Sequence, residues 1–251
     1  MKHHISVTAC VHCRDRLGDD LTRSDRRFCS NKCRQADYRR RVNATTNPVE
    51  ALVRGNNADL IKQVARLYAT EKDTIADVTY GKGAFWKKTP HLNVTGSDLL
   101  TVPERPYDFR NLPYGDRSYD IVVYDPPYLI APGNFMADGQ YNNASTTKGF
   151  LHGDIRTLYA EGIREAARVA KRQVWVKCKD QVSAGIQRWF HIHILQDAEA
   201  MGLVGRDLFI LDATARVPNS RWDTQNHARK PMSYLWVLDI PKDYHVAVSG
   251  G

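Results

Sequence analysis

From residue 74 onward, short apolar runs alternate with segments of helical spacing, and this alternation constrains the fold more than any other feature. Six runs rich in β-branched and aromatic residues are strand candidates: TIADVTY, NVTGSD, YDIVVYD, RQVWVKCK, RDLFILDATA and SYLWVLDI. Two of the segments between them have helical spacing: DIRTLYAEGIREAARVAK and SAGIQRWFHIHILQDAEAMG. The alternation predicts an α/β fold, with helices packed on both faces of one sheet.

The first 73 residues have a different texture. Four of the five cysteines lie within the first 33 residues, and a polar stretch, NATTNP, follows as a candidate linker. The next segment, VEALVRGNNADLIKQVARLYAT, carries apolar residues at helical spacing and predicts a helix. We therefore expect a small cysteine-bearing module over 1–42, a linker over 43–50 and one α/β domain over 51–246.

Composition and charge narrow the class of protein. Hydrophobic residues make up 42% of the 251, enough for a core, but no run approaches the roughly 18–20 apolar residues that cross a bilayer. No secretory signal is visible, so we expect no membrane association and a cytoplasmic location in a bacterial or phage-infected cell. The net charge is +8, with arginine and lysine concentrated in the first 41 residues. This excess favours a polyanionic partner, although a basic soluble protein without one is the alternative.

The four early cysteines have the spacing of a metal site. Cys10 and Cys13 form a C-x2-C pair, and after fifteen intervening residues Cys29 and Cys33 form a C-x3-C pair. Two close pairs can supply four thiolates to a tetrahedral structural zinc, and metal binding would stabilise a module too small for its own core. Two disulfides, which a reducing cytoplasm disfavours, or free thiols are the alternatives. The remaining cysteine, Cys178, lies in a predicted strand, where we expect it to be buried.

The second cysteine pair resembles that of small treble-clef or zinc-ribbon fingers, in which this pair opens a basic helix. The matching stretch here is FCSNKCRQADYRRR. The resemblance implies that basic side chains of this helix meet nucleic-acid phosphates: Arg34, Arg39, Arg40 and Arg41.

Aspartates stand at the ends of successive predicted strands. Asp77 is followed by a turn containing Gly81 and Gly83, and the next strand ends at Asp98. Asp108 lies in the loop before the strand that ends at Asp125. Each position alone is typical of a solvated loop or a helix cap, and a lone G-x-G is weak evidence. Because the carboxyl ends of parallel strands lie at one edge of a sheet, the ordered set predicts a shared crevice there.

These motifs, together with the Asp-Pro-Pro-Tyr run at 125–128, resemble those of S-adenosylmethionine-dependent amino-methyltransferases of nucleic acid. The resemblance covers residues 74 to about 240 and implies a Rossmann-like class I methyltransferase sheet of seven strands, with the cofactor over the glycine turn. It implies that Asp98 binds the ribose hydroxyls and Asp108 the adenine amino group. The implied cofactor-binding set is Asp77, Thr79, Tyr80, Gly81, Gly83, Asp98, Leu99, Asp108, Phe109 and Asp125.

Two departures from the family pattern stand out. The family often carries proline and phenylalanine after the first aspartate, whereas Val78 and Thr79 occupy those positions here. About forty residues separate the cofactor motif from the catalytic one, which leaves little room for a recognition domain between them.

The Asp-Pro-Pro-Tyr run fits the chemistry of an exocyclic amino group, a poor nucleophile because its lone pair is delocalised into the base. The Asp125 carboxylate and the Pro126 carbonyl can each accept one N–H and turn the lone pair out of the base plane. Pro126 and Pro127 restrict the backbone that directs this carbonyl. Tyr128 offers a ring on which a flipped base can stack. A strand that simply ends at two prolines is the structural alternative.

Two long polar segments are candidates for substrate recognition. Residues 129–154 follow Tyr128 directly and predict a substrate loop. Residues 215–234 mix basic and aromatic side chains, which suits phosphate contact and base stacking, although a solvated hairpin loop is the alternative. The candidate nucleic-acid contacts there are Arg216, Arg221, Trp222, His227, Arg229 and Lys230.

The sequence therefore predicts a DNA methyltransferase that uses S-adenosylmethionine and a structural zinc, with adenine N6 as its preferred target. Cytosine N4, or the same reaction on RNA, is the alternative among enzymes. A zinc-finger binding protein with a silent methyltransferase fold is the alternative outside enzymes. A cytosine-C5 enzyme fits less well because the chain has no Pro-Cys pair to supply its nucleophile.

Overall fold

The computed structural model describes residues 10, 12–14, 28–42, 48–126, 152–183, 185–213, 226–228 and 230–244, with only the backbone of 38–42 and of 152. Helix α1 spans Asn31–Val42, so it begins between Cys29 and Cys33 and contains Cys33. Strand β1 (Leu52–Gly55) and helix α2 (Asn57–Tyr68) open the larger part of the chain. The predicted boundaries between module, linker and domain stay predictions.

Helix α2 begins where it does because Asn56 caps it. The Asn56 side chain accepts the N–H groups of Ala58 at 2.9 Å and Asp59 at 3.2 Å, and Asp59 accepts the Asn56 N–H in return at 3.1 Å. This reciprocal pair is a capping box, which satisfies donors that the first turn leaves free. The helix then buries a stripe that includes Leu60, Ile61 and Val64 against the sheet.

The remaining elements alternate as the sequence predicts. In chain order they are β2 (Thr74–Asp77), a 3₁₀ helix (Ala84–Lys88), β3 (Asn93–Gly96), β4 (Tyr119–Tyr124), α3 (His152–Val169), β5 (Ala170–Cys178), β6 (Gln181–Ser183), β7 (Ile186–Arg188), α4 (Phe190–Ala200), β8 (Val204–Ala213) and β9 (Met232–Asp239). All six strands expected from residue 74 onward are present, and the helix over α3 is confirmed.

Seven strands of the described chain form one sheet in the order β1-β8-β9-β5-β4-β2-β3. Every neighbouring pair is parallel except the two pairs that involve β9, which runs antiparallel to β5 and β8. The α/β class with one seven-stranded, Rossmann-like sheet is therefore confirmed. The chain passes from β2 to β3 on one side and returns to β4 on the other. The carboxyl ends of β2 and β4 thus flank a topological switch point, where open α/β sheets bind ligands.

Both faces of the sheet are covered, and the strand period of two explains how. On β4, Val122 and Tyr124 face the layer of α3 and α4, whereas Ile121 and Val123 face α2 and the 3₁₀ helix. All four side chains are fully buried. Cys178 at the end of β5 is also fully buried, as expected.

Two helix predictions need correction. The segment from Val49 does not begin as a helix: residues 52–55 form edge strand β1, which pairs with β8. The segment from Ser183 is not one helix either, because Gly185 turns with a φ of +73° between β6 and β7, and α4 begins only at Phe190. In both places apolar residues of a strand stand at a spacing that also fits a helix.

No helix in the described ranges is long and apolar enough to cross a membrane. The longest, α3, has 18 residues but places charged side chains among its apolar ones. Its apolar face, which includes Ile155, Tyr159 and Ile163, packs on the sheet.

Candidate active site

The glycine turn after β2 is built as the sequence predicts. Gly81 and Gly83 have φ angles of +54° and +69°, in the left-handed region that glycine adopts without strain. The Gly81 N–H donates to Asp98 Oδ2 at 3.1 Å, and the N–H groups of Leu100 and Thr101 donate to Asp98 Oδ1 at 2.9 Å each. The half-buried Asp98 carboxylate therefore joins the end of β3 to the turn.

The Asp77 side chain is buried and links the glycine turn to the 3₁₀ helix through hydrogen bonds. Its side chain accepts Trp86 Nε1–H at 2.7 Å and the Thr79 N–H at 3.1 Å, and the residue is 1% exposed. Burial raises the pKa of Asp77 to about 7 against the lowering effect of these hydrogen bonds, and the nearby Asp125 and Asp98 carboxylates add to the rise. Three of the predicted aspartates are thus electrostatic neighbours at one sheet edge.

Tyr80 lies across the turn between two glycines. A side-chain carbon added at Gly96 would overlap the Tyr80 ring, and one added at Gly83 would lie 2.6 Å from the Tyr80 hydroxyl. The Tyr80 N–H donates to the Ser97 carbonyl at 3.1 Å, which holds the turn against the end of β3. The two glycines therefore leave the space that the tyrosine ring fills.

We expect Gly96→Ala to destabilise the fold by about 1–3 kcal/mol, because the added methyl displaces Tyr80 and the turn. Thermal unfolding measures this effect. Gly115→Ala is the matched control, since its added methyl meets nothing within 4 Å. Equal thermal stability of the two variants would contradict this role of Tyr80.

Asp125 follows β4 directly and is tied to the same turn. Its backbone N–H donates to Thr79 Oγ1 at 2.7 Å. Its carboxylate, 10% exposed, lies 3.4–3.5 Å from Nζ of Lys177. Burial raises the pKa of Asp125, and the Lys177 ammonium opposes that rise. Pro126, the next residue, is buried.

Lys177 is a site residue that the sequence reasoning missed. It lies on β5, and its side chain is only 2% exposed. Lysine is almost never fully buried unless it is paired, so a lysine inside the apolar run RQVWVKC was the available signal. Its ammonium also lies 5.8 Å from the centroid of the Phe85 ring.

The other proposed cofactor residues lie beside the same edge, with contacts of their own. Arg110 forms a bidentate ion pair with Asp108, with Nη2–Oδ2 at 2.6 Å and Nε–Oδ1 at 3.0 Å. This pairing lowers the pKa of Asp108. Phe109 packs edge-on against Tyr124, with ring centroids 5.0 Å apart. Leu99, directly after Asp98, is exposed.

Several predicted residues lie outside the described part of the chain: Pro127, Tyr128, residues 129–151 of the loop predicted over 129–154, Arg216, Arg221, Trp222 and Arg229, together with the side chains of Arg39, Arg40 and Arg41. The last three residues of that predicted loop instead begin α3. Arg34 is described and exposed on α1. His227 Nε2 lies 3.0 Å from the Gly185 carbonyl, and Lys230 Nζ donates to Gln187 Oε1 at 2.7 Å. His227 and Lys230 therefore both contact the β6–β7 hairpin.

The four early cysteines converge on one point. Their sulfur atoms all lie within 4.8 Å of one another, with Cys13–Cys29 at 3.3 Å and Cys29–Cys33 at 3.5 Å, and none forms a disulfide. Zinc–sulfur bonds of about 2.3 Å in a tetrahedron place sulfurs about 3.8 Å apart, so the cluster fits that ion. Ser30 shapes the second pair, because its hydroxyl accepts the Cys33 N–H at 3.2 Å at the start of α1.

The cysteine module contacts the sheet at the edge away from Asp125. Arg14 Nη1 lies 3.3 Å from the carbonyl of Lys171 and 3.4 Å from that of Ile240. These carbonyls mark the edge where β5 begins and β9 ends. Lys171 and Cys178 are about 23 Å apart along β5 at about 3.3 Å per residue. The cysteine module therefore lies far from the end of the sheet that carries Asp125.

Comparison with known proteins gives similarities in overall structure. No protein-family model and no curated protein matches the chain. A candidate DNA modification methylase from Thermus thermophilus is 14% identical over 57% of this chain and 54% of its own, with a TM-score of 0.36. A SAM-dependent methyltransferase from Methanosarcina mazei is 12% identical over 70% and 96%, with a TM-score of 0.41. TrmN from Thermus thermophilus is 15% identical over 72% and 48%, with a TM-score of 0.45.

The chain thus spans about half the length of the first of these proteins. At these identities and TM-scores, the likeness decides neither the activity nor the substrate of this chain. The sheet, the glycine turn and the side chains around Asp125 are the features that bear on the function of this chain.

Proposed function

We propose that this chain is an S-adenosylmethionine-dependent amino-methyltransferase of nucleic acid that acts on DNA, with adenine N6 as its preferred target. One observation carries the proposal: the Asp125 N–H donates to Thr79 Oγ1 at 2.7 Å. Thr79 belongs to the glycine turn, so the proposed amino-group acceptor and the proposed cofactor turn form one structure. Both lie at the switch point of the sheet, where a ligand crevice is expected.

The residues at this edge suit the cofactor. Asp98 Oδ2 accepts one described N–H, that of Gly81, which leaves it capacity to accept a ribose hydroxyl. The exposed Leu99 and Leu100 offer apolar contact for an adenine ring beside it. In this proposal Asp108, already oriented by Arg110, accepts the adenine amino group, while Phe109 helps form the wall. When bound, S-adenosylmethionine supplies an electrophilic methyl group on a sulfonium.

The chain's own residues would then orient the target nitrogen. The Asp125 carboxylate accepts one amino hydrogen and the Pro126 carbonyl the other, which turns the nitrogen lone pair towards the methyl group. A nitrogen–carbon bond forms as the sulfur–carbon bond breaks, and the nitrogen releases one proton, for which Asp125 is the nearest proposed acceptor. Tyr128 is expected to stack on the flipped base. Rate comes from positioning and from a carboxylate facing the developing positive charge.

Lys177 serves this mechanism as a positioning residue that acts through Asp125. Burial alone would favour a neutral carboxyl, which accepts an amino hydrogen more weakly than a carboxylate does. The ammonium 3.4 Å away favours the ionised form and limits the rotation of the carboxylate. Among the described residues, other ionisable groups near Asp125 include Asp77, which opposes ionisation, Tyr124 on β4 and Cys178 on β5.

We expect Lys177→Met to move the acidic limb of the kcat–pH profile upward by about 1 to 3 pH units, since an opposite charge at this range lowers a carboxyl pKa by that amount. The sign follows because loss of the ammonium raises the Asp125 pKa further, so ionisation requires a higher pH. Lys171→Met, at the start of the same strand, is the control with an unchanged profile. A profile that stays in place in Lys177→Met would contradict the role of Lys177.

The cysteine module is proposed to bind a structural zinc and to contribute DNA contacts through Arg34 and the basic end of α1. Because Arg14 contacts the sheet at the edge away from Asp125, these DNA contacts would lie on that side. A DNA helical turn rises about 34 Å, so the module would meet phosphates roughly two-thirds of a turn from the flipped base. It would then add affinity without reading the target base itself.

Transfer of tritium from S-adenosyl-[methyl-³H]methionine to unmodified DNA and, separately, to RNA tests the proposal. We expect incorporation into DNA. Incorporation into RNA alone would replace DNA with RNA as the substrate while keeping the reaction class. No incorporation into either, by protein that binds the cofactor, would favour the non-enzymatic alternative, a silent binding module.

A further inference from the structure

Exposed apolar side chains are concentrated in the segment that follows β5, near the end of the sheet that carries Asp125. Among the described residues, seven large hydrophobic side chains are exposed: Leu52, Leu99, Leu100, Val182, Ile186, Trp189 and Ile192. Leu99 and Leu100 belong to the proposed cofactor site. The last four, which we name the hairpin patch, are 42% to 54% exposed and lie within eleven residues of chain directly after β5. Isolated exposed apolar residues are ordinary, but such a cluster indicates an interaction surface.

The β6–β7 hairpin presents this patch on both of its faces. Val182 pairs with Gln187 and Ser183 pairs with Ile186, so Val182 and Ile186 point to opposite sides of the two strands. A two-stranded hairpin is only marginally stable by itself. Here it is supported by His227, at the Gly185 carbonyl, and by Lys230, which donates to Gln187.

The segment that carries the patch has more basic than acidic residues. Between residues 179 and 193 the single acidic residue is Asp180, which is buried and lies 2.8 Å from His191 Nδ1. Lys179 and Arg188 belong to the same segment, and Lys230 Nζ lies 5.2 Å from the centroid of the Trp189 ring. Apolar and aromatic faces next to cations, without an exposed carboxylate in the segment, complement a polyanion that carries flat rings.

The patch also begins close to the reacting centre. Lys177 contacts the Asp125 carboxylate, and β6 starts at Gln181, four residues further along the chain. Four residues span at most about 14 Å, which is the distance of a few stacked bases from the target. A nucleic acid strand with its target base at Asp125 therefore passes within reach of the hairpin.

We propose that the hairpin patch stacks against unpaired bases that flank the target, so that the enzyme binds single-stranded or locally opened nucleic acid in preference to a closed duplex. This inference rests on the proposed function and names the form of its substrate. Aromatic and apolar side chains stabilise unstacked bases in this way, and the stacking tolerates any sequence because every base has a π face. The neighbouring cations would hold the phosphates of the same strand.

The test compares wild type with the double variant Ile186→Ser/Trp189→Ala, both positions being exposed. Fluorescence anisotropy with a labelled single-stranded oligodeoxynucleotide, in a salt series, measures affinity. We expect the variant to bind about 5- to 150-fold more weakly, because the loss of one stacked base costs about 1–3 kcal/mol. The slope of log K against log salt should not change, because stacking neutralises no phosphate. Lys230→Gln, in contrast, should reduce the slope by about 1.

Leu52→Ala is the matched control, because Leu52 is similarly exposed but lies at the start of the edge strand β1, three strands away from β5. Its affinity for the oligonucleotide should equal that of wild type, and all variants should bind S-adenosylmethionine normally. Undiminished binding by the double variant, while wild type binds nucleic acid, would overturn this inference and leave the proposed function standing. Loss of self-association in the double variant with unchanged oligonucleotide affinity would overturn it too and assign the patch to a second copy. Failure of wild type to bind DNA or RNA would overturn the proposed function as well.

Discussion

Asp125→Ala is expected to reduce methyl transfer by at least about 100-fold, the usual effect of removing a group that orients or stabilises the transition state. Asp125 is proposed to accept an amino hydrogen, and in its absence the nitrogen lone pair stays delocalised in the base. Its carboxylate makes no described contact with the glycine turn, whose link to Asp125 is the backbone bond to Thr79. Because Asp125 also belongs to the implied cofactor-binding set, calorimetry with S-adenosylmethionine measures any loss of cofactor affinity separately from the loss of transfer.

A matched variant separates chemistry from folding. Asp125→Ala removes the carboxylate beside the buried Lys177 ammonium and leaves a void, and breaking a buried ion pair costs about 3–5 kcal/mol. Asp125→Leu/Lys177→Met removes both charges and the acceptor oxygens and keeps similar volumes, so we expect it to fold with near-native thermal stability and still to lack transfer. Undiminished transfer by this double variant would show that Asp125 is not the acceptor.

Removal of the metal is expected to have the largest effect on stability. Purified protein should contain one zinc per chain, and Cys29→Ser should lose it, because Cys29 Sγ lies within 3.5 Å of both Cys13 Sγ and Cys33 Sγ. Structural zinc contributes about 10–16 kcal/mol to small modules at neutral pH, so the module should unfold without it. Metal analysis and hydrogen exchange over α1 measure both results.

The same site predicts a pH dependence. Burial favours the neutral Cys10 thiol, but backbone N–H donors, led by that of Cys13, outweigh it and lower the Cys10 pKa to about 7. Zinc binds thiolates, and the Cys29 pKa is raised above its usual value. Zinc affinity should therefore fall throughout as pH drops, and more steeply below about 7, where Cys10 also holds a proton. Cys178→Ala is the control, because Cys178 is buried in the sheet away from the cluster, and its zinc content should equal that of wild type. Full zinc content in Cys29→Ser would contradict the four-cysteine site.

The sequence predicted the elements with strong periodicity and missed the short ones. Six strands and helix α3 carry long apolar runs, which identify them without tertiary information. Strand β1 was missed because it has only four residues and directly precedes a strongly amphipathic helix, whose spacing its apolar residues also fit. The β6–β7 hairpin was missed because its Ile186 and the apolar residues of α4 also fit one helical period.

The candidate site was predictable to the extent that strand ends define it. The aspartates at the ends of β2, β3 and β4 are expected to lie close together because these strands are parallel. The pairing of Asp125 with Lys177 depends on the register of β4 against β5, in which Tyr124 lies opposite Val176. Register depends on long-range packing, which a single sequence does not specify. The Thr79–Asp125 bond depends in the same way on the register of β2 against β4.

The proposed methyl transfer to DNA is tested most directly by nucleoside mass spectrometry of unmodified DNA incubated with S-adenosylmethionine and the protein. We expect N6-methyladenine with wild type and none with Asp125→Leu/Lys177→Met. N4-methylcytosine in its place would keep the reaction and change the base. Absence of any methylated amino nucleoside from both DNA and RNA, with cofactor and zinc bound to the wild-type protein, would contradict the account.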